Sequence, residues 1–238
     1  MRTHRFFFQG WSEQAEYDVT DEALLHQWLR VFRMEIGDAV ILCNGLNEEA
    51  RAVIKSIQKK SVTLQIGKKE SCRTELPRPV ILAAALLKRE NFEWVAQKAT
   101  ELGVTEIQPL VTERTVKEDM KRTRVELIVK EAMEQSGRGV VPVVHEPKPL
   151  TVLLNTISPS SCVVFDAEGS SPFTVLSKIK PNPLVVLVGP EGGWSEEERS
   201  LFKKLSIPFV GLGGRTLRAE TAAVAALAVV TMTIENVS

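Results

Sequence analysis

The chain has no apolar run of the roughly 18 residues that a membrane span requires, so no spanning helix is expected. It has no surplus of charge either. Its 30 basic and 30 acidic residues cancel, which argues against a protein that coats nucleic acid by bulk charge and leaves room only for local basic faces. Cysteine is scarce: Cys43, Cys72 and Cys162 stand alone, without metal-ligand spacing, and the three histidines are equally scattered. No metal is expected, and the thiols read as reduced. The first residues are basic but lack an apolar segment of signal-peptide length, so the expected localisation is cytoplasmic. Aromatic residues make up 6%. Two phosphate-binding signatures are missing as well. No Gly-Lys-Ser/Thr closes a P-loop, and no G-x-G-x-x-G opens a first βαβ unit.

What is present divides near residue 70. Up to there "RFFF", "DAVILCN", "ARAVIKSI" and "SVTLQIG" are short β-rich runs between turn residues. One helix interrupts them, "DEALLHQWLRVF" from Asp21, with Thr20 as its expected N-cap. This pattern predicts a small barrel or β-rich module over residues 1–70. The polar stretch 68–79, with two prolines, reads as a linker. From residue 78 to 238 apolar strands alternate with helices. "VILAAAL", "EIQPLV", "CVVFD", "PLVVLVG" and "PFVGLG" are the strands. Helices follow in "NFEWVAQKATELG", "RVELIVKEAMEQSG", "SEEERSLFKKL" and "AETAAVAALAVVTM", the first two closed by Gly103 and Gly137 and the third opened by a capping box from Ser195 to Glu198. The fold class is α/β with a largely parallel sheet.

Three of these strands end in unusual loops: "FDAEG" (165–169), "VGPEGGW" (188–194) and "VGLGGRTLR" (210–218). Ligands of open α/β sheets lie beyond the carboxyl ends of the strands. Glycine lets backbone approach a ligand or take positive φ, and Pro190 stiffens its loop. Two rigid, glycine-rich strand ends in one domain imply a site that holds a planar or extended ligand by backbone groups.

"LVGPEGGWSEEE", followed by "LGGRTLRAETAAVAAL", resembles the paired C-terminal motifs of the RsmE-type 16S ribosomal RNA methyltransferases, members of the SPOUT class. "LRVFRM" and "CNG" are similar to that family's N-terminal PUA-like RNA-binding module, and "FEWVAQKATELGV", "TERTV" and "EQSGR" to its central segments. The family pattern has Pro where this chain has Gly214 and Thr where it has Ala219. The resemblance implies a C-terminal trefoil-knot domain and S-adenosyl-L-methionine bent between the knotted loops. It places Leu187, Gly189, Pro190, Glu191 and Gly192 on one wall, and Gly211, Leu212, Arg215, Leu217 and Arg218 on the other.

The implied reaction is methylation of N3 of a uridine in the decoding region of 16S ribosomal RNA, on free RNA or on the small subunit. Because N3 must lose a proton, Arg218 is expected to stabilise the anion, and Glu191 or Glu220 to act as the base. Arg30, Arg33, Arg114 and Arg138 are the candidate RNA-binding residues. The last helix is apolar nearly all round, which suits either the core of one chain or a subunit contact, and the resemblance implies a homodimer through the C-terminal domain. One subunit would then present its N-terminal module to RNA bound at the other's site. Two rival classes stay open. A non-catalytic RNA-binding protein is opposed by the intact glycine loops, and a nucleotide-dependent enzyme of Rossmann type by the missing fingerprint.

Overall fold

The computed structural model describes residues 4–8, 15–116, 120–179 and 183–237. Parts of two basic clusters, at 2–3 and 117–119, lie outside the described residues. The chain forms two compact units. One comprises Met1–Glu75 with Met133–Val140, the other Leu76–Ala132 with Val141–Ser238.

The first unit contains β1 (His4–Phe7), β2 (Glu16–Val19), α1 (Glu22–His26), β3 (Ala39–Cys43), β4 (Glu48–Ile57) and β5 (Val62–Ser71). They form one sheet in the order β1-β3-β4-β5-β2. The β1–β3 pair is parallel and the other pairs are antiparallel. This is the small β-rich module expected, and among the described residues its strand path ends at β1 and β2. The side chains of Val40, Leu42, Ile54 and Leu64 join Phe6 and Trp28 in its core, as period-two alternation requires.

Three local expectations need correction. The N-cap of α1 is Asp21, whose carboxylate accepts from the Leu24 N–H at 3.0 Å, and not Thr20. The helix does not run on uniformly to Phe32. It widens into a π-helical turn, Gln27–Val31, where Phe32 N–H reaches Gln27 O at 2.9 Å, and Arg33 then takes φ 52°. Strand β5 extends to Ser71, into the stretch expected as a linker, because its edge pairs with β4 as far as Glu48↔Ser71.

The second unit contains β6 (Val80–Ala85), α2 (Arg89–Glu101), β7 (Glu106–Val111), α3 (Arg122–Ser136, its end in the first unit), β8 (Val143–Val144) and β9 (Lys148–Pro149). There follow α4 (Leu150–Leu154), β10 (Cys162–Ser170), α5 (Pro172–Leu176), β11 (Leu184–Val188), α6 (Glu196–Lys204), β12 (Phe209–Val210) and α7 (Ala219–Val237). The sheet order is β12-β10-β11-β6-β7-β8, with β9 also paired to β7. All its ladders are parallel. The α/β expectation with a parallel sheet therefore holds.

Apolar residues cover both faces of this sheet, which is why its strands read as continuous apolar runs. On one side Leu82 and Val186 pack with Val95 and Ala99 of α2 and with Ala223, Ala226 and Leu227 of α7. On the other, Leu187 and Val164 pack with Leu153 of α4, Trp194 and Phe202. Gly103 and Gly137 take φ 91° and 78°, as expected for residues that end helices. Burial pushes the Cys43 and Cys162 thiols up to about 12, so neither carries appreciable thiolate at neutral pH. Since the strands are parallel, their carboxyl ends share one edge, and the unusual loops meet there.

Candidate active site

The loop after β11 is built on Trp194. A Cβ at Gly189 would stand 3.1 Å from the indole, so glycine lets the backbone lie on that ring without the ring having to give way. The indole Nε1 donates to Phe165 O at 3.1 Å, which fastens this loop to the end of β10. Gly193, at φ 68°, closes a turn by donating to Pro190 O at 2.9 Å. Helix α6 then starts at Ser195, whose hydroxyl and the Glu198 carboxylate satisfy each other's backbone N–H groups.

Two consecutive α6 residues reach to opposite sides. Arg199 bridges Asp166 and Glu168, each at 3.1 Å. Burial works against its charge, but the two carboxylates outweigh that and hold the guanidinium above its usual range. Glu198 instead accepts from Glu113 N–H at 3.0 Å, in the loop after β7. Arg114 of that same loop donates to Gly192 O at 2.8 Å. The segment 189–199 is thereby tied to the strand ends on both of its flanks.

The end of β10 meets the end of β12 in backbone contact. A Cβ at Gly169 would lie 2.2 Å from the Val210 carbonyl carbon, and one at Gly211 would lie 2.5 Å from Gly169 O. Gly211 N–H donates to Ser170 O at 2.8 Å. These two glycines serve chain packing.

Two clefts open among these loops. The first, of about 270 Å³, is lined by residues 188–194, by Phe165, Asp166, Ala167 and Arg199, and by Leu212, Gly213, Thr216, Leu217 and neighbours up to Ala222. Its walls are mainly backbone and apolar side chains. A Cβ at Gly193 or Gly213 would meet no protein atom within 4 Å, so the bare backbone borders open space there. A flat apolar body with polar ends fits such a cradle. The second cleft, of about 610 Å³, runs between Leu86–Asn91, Arg114, Val116 and residues 216–220. Glu191, Gly192, Thr216, Leu217 and Ala219 line both.

Of the residues anticipated for cofactor binding, the structure brings Gly189, Pro190, Glu191, Gly192, Leu212, Arg215 and Leu217 together on the first cleft. It does not bring Leu187, which is buried in β11 among the α4 and α6 side chains, or Gly211, which is used by the backbone crossing. Arg218 and Glu220 line the second cleft, with Arg114. Among the described residues the side chains of Arg218, Glu220, Glu191, Lys88 and Asn91 have no hydrogen-bond or ion-pair partner. Phe165 and Asp166 belong to "FDAEG", whose place at a strand end marked it, whereas Arg199 was not anticipated as a lining residue. Nothing in the local pattern singled out Lys88 and Asn91; their position beyond the carboxyl end of β6 is the one signal that could have found them.

The arginines anticipated for RNA separate. Arg30 and Arg33 are exposed on the first unit beside Phe32, 38% exposed, and Val31, 61% exposed. Arg138 is corrected to a structural residue. Its side chain is 2% exposed and its guanidinium grips the Glu75 carboxylate, with a shortest approach of 2.6 Å. The same carboxylate accepts from the backbone N–H groups of Gly139 and Val140. A charge so enclosed is not available to RNA.

The class of protein is that of the RNA methyltransferases, which the chain matches over most of its length. A family model described as an RNA methyltransferase domain matches residues 74–231, and one described as an RNA methyltransferase PUA domain matches residues 29–67. The ribosomal RNA small subunit methyltransferase E of Bacillus subtilis (strain 168) is 33% identical over 249 residues, 97% of each chain. A methyltransferase from Legionella pneumophila, solved with its cofactor SAM bound, superposes with a TM-score of 0.86 at 32% identity over 98% of both chains. The ribosomal RNA small subunit methyltransferase E of Neisseria gonorrhoeae, solved with S-adenosyl methionine, gives 0.84 at 29% identity, covering 95% of this chain and 96% of that one. The chain belongs to the ribosomal RNA small subunit methyltransferase E family, the RsmE-type enzymes that use S-adenosylmethionine to methylate ribosomal RNA.

Proposed function

We propose that this chain methylates N3 of a uridine in the decoding region of 16S ribosomal RNA, acting on the assembled small subunit. The observation that supports the reading is that the two clefts share a wall, Glu191 and Gly192, so that an acceptor in the second would adjoin a donor in the first. S-adenosylmethionine, when bound in the first cleft, supplies a methyl group on a positively charged sulfur. The open backbone at Gly193 and Gly213 and the apolar surfaces of Phe165, Leu212 and Leu217 would hold it, with Gly189, Pro190, Glu191, Gly192 and Arg215 around it.

At the acceptor side, the uridine N3–H must be removed. Glu191 or Glu220 takes that proton, and Arg218 stabilises the charge left on the base. All three line the second cleft. Arg30 and Arg33 hold the RNA backbone on a PUA-like module, residues 1–70, and residues 78–238 form the catalytic module with the trefoil knot that the resemblance implies. A homodimer through α7 is part of the same reading. Met232 is 62% exposed on that helix, and Val224, Ala225 and Ala228 remain half-buried, an apolar strip that a second copy would cover. Among the described residues no helix is long and apolar enough to cross a membrane, and no cluster of metal-ligating side chains occurs. The reading takes the enzyme to be cytoplasmic and to use no metal.

The test is methyl transfer from labelled S-adenosylmethionine to purified small subunits that lack the modification, followed by nucleoside analysis. Label in N3-methyluridine is expected. Label in another nucleoside, or none, would remove the reading.

A further inference from the structure

We propose that the second cleft is the pocket for the extruded target base, and that Asn91 and Arg114 read the two carbonyl oxygens flanking N3 of uracil. This rests on the first cleft being the cofactor site. A methyl group passes to a neighbour within bonding reach, so the acceptor must lie in the space that adjoins the donor. The second cleft is that space: it shares Glu191, Gly192, Thr216, Leu217 and Ala219 with the first and at about 610 Å³ is roomy enough for a nucleoside. A base buried in a helix offers no free N3, which places an unstacked or extruded nucleotide here.

The chemistry of uracil selects the readers. N3 sits between two carbonyl groups. When it loses its proton, the negative charge spreads over both oxygens. Donors placed at both oxygens therefore recognise uracil and favour the reactive anion together. Cytosine carries an amino donor at one of these positions, and a donor-only side chain opposite it would repel it.

Arg114 is donor-only. It is held at the shared wall by its bond to Gly192 O at 2.8 Å, which engages one of its N–H groups and leaves the rest of the guanidinium unengaged among the described residues. Asn91, in the first turn of α2, is the half-buried amide of this cleft, and its side chain is uncommitted, whereas Lys88, Val116 and Arg218 are exposed. The polar atoms of Asn91 are not among the buried unsatisfied ones, so water reaches them, and a bound base can take the place of that water without breaking a bond of the fold. Because Arg114 is anchored to the cofactor loop, its placement beside the base depends on the conformation of residues 191–193.

The experiment measures steady-state methylation of small subunits and S-adenosylmethionine binding by calorimetry for Asn91→Ala, Asn91→Asp, Arg114→Ala and Arg114→Lys. The aspartate variant keeps the size of the side chain and exchanges its amide for a second acceptor oxygen, so it guards against an Asn91→Ala protein that folds poorly. Expected are a drop in kcat/KM for the subunits of about 10- to 100-fold for Asn91→Ala, with a drop at least as large for Asn91→Asp. Arg114→Ala is expected to lose about 10²- to 10³-fold, with partial recovery in Arg114→Lys. Cofactor affinity of both Asn91 variants stays at the wild-type value. Wild-type kcat/KM in both Asn91 variants, or a loss confined to cofactor binding, would overturn the proposal. The wild-type control separates it from the functional reading. If wild type marks a different atom, that reading falls, and the same variants assayed on that nucleotide decide whether this cleft receives it.

Discussion

The two clefts lie side by side and are built in opposite ways. At the first, the ligand would meet mainly backbone, glycine and apolar surface, with Asp166 held by Arg199 and Trp194 by Phe165 O, and with Arg215 and the shared Glu191 exposed. At the second, Arg218, Glu191, Glu220, Lys88 and Asn91 are unpaired among the described residues. A site that must hold a constant ligand can be fixed by shape. A site in which charge develops needs groups free to answer it, and such groups contribute little to the folded state. The contrast recurs among the arginines. Arg138 is enclosed by Glu75 and serves the fold, whereas Arg218 is exposed and, among the described residues, unpaired.

That contrast can be broken by substitution. The largest effect is expected where commitment is greatest. Arg138→Ala strands the Glu75 carboxylate, which is 13% exposed, and should destabilise the first unit by about 3–5 kcal/mol in denaturant unfolding. The salt slope of RNA binding in the surviving folded fraction should not change, and a flattened slope would return Arg138 to the RNA-binding set. Arg218→Ala should do the reverse, lowering turnover by about 10²- to 10³-fold with an unchanged melting curve. Arg218→Lys should recover only part, since an ammonium lacks the planar fork of donors. A fall to monomer mass instead would make Arg218 architectural.

Gly193→Val sharpens the description of the first cleft. A β-branched residue there fills the open space beside the loop and must adopt φ near 68°, so cofactor affinity should fall by at least roughly tenfold in calorimetry. Normal affinity would take this loop out of the site. The smallest effect is expected from Arg30→Ala with Arg33→Ala. RNA binding should weaken, and the slope of log K against log salt should flatten by about two units, about one for each phosphate that an arginine no longer neutralises. An unaltered slope would leave both arginines as solvated surface.

Much of this was legible in the sequence. Strand β7 falls where "EIQPLV" placed it, the Ser195 capping box and the closing glycines 103 and 137 are present, and the glycine loops stand at the carboxyl ends of parallel strands. These features are local, set by side-chain period and by positions that only glycine can occupy. What was not legible depends on distant partners. The short polar run "EYDV" becomes β2 because it pairs with β5. Residues 133–140 belong with the first unit because Glu75 and Asn47 receive and donate their hydrogen bonds, with Asn47 N–H on Gly139 O at 2.9 Å. The same holds for the site. The first cleft is drawn largely from two contiguous motifs, and most of its lining residues lie in them. The second gathers Lys88, Asn91, Arg114 and Arg218 from three stretches of chain, and no local spacing announces such a set. Gly169 and Gly211 show the converse, glycines in the right motifs that serve a backbone crossing.

The central claim is that one cleft holds the cofactor and the other does the chemistry. It is tested most directly by titrating S-adenosylmethionine into a protein carrying Asn91→Ala together with Arg218→Ala, alongside its methyl-transfer rate on small subunits. The account predicts wild-type cofactor affinity with methyl transfer reduced by at least about 10²-fold. Loss of cofactor binding in that variant, or transfer at the wild-type rate, would contradict it.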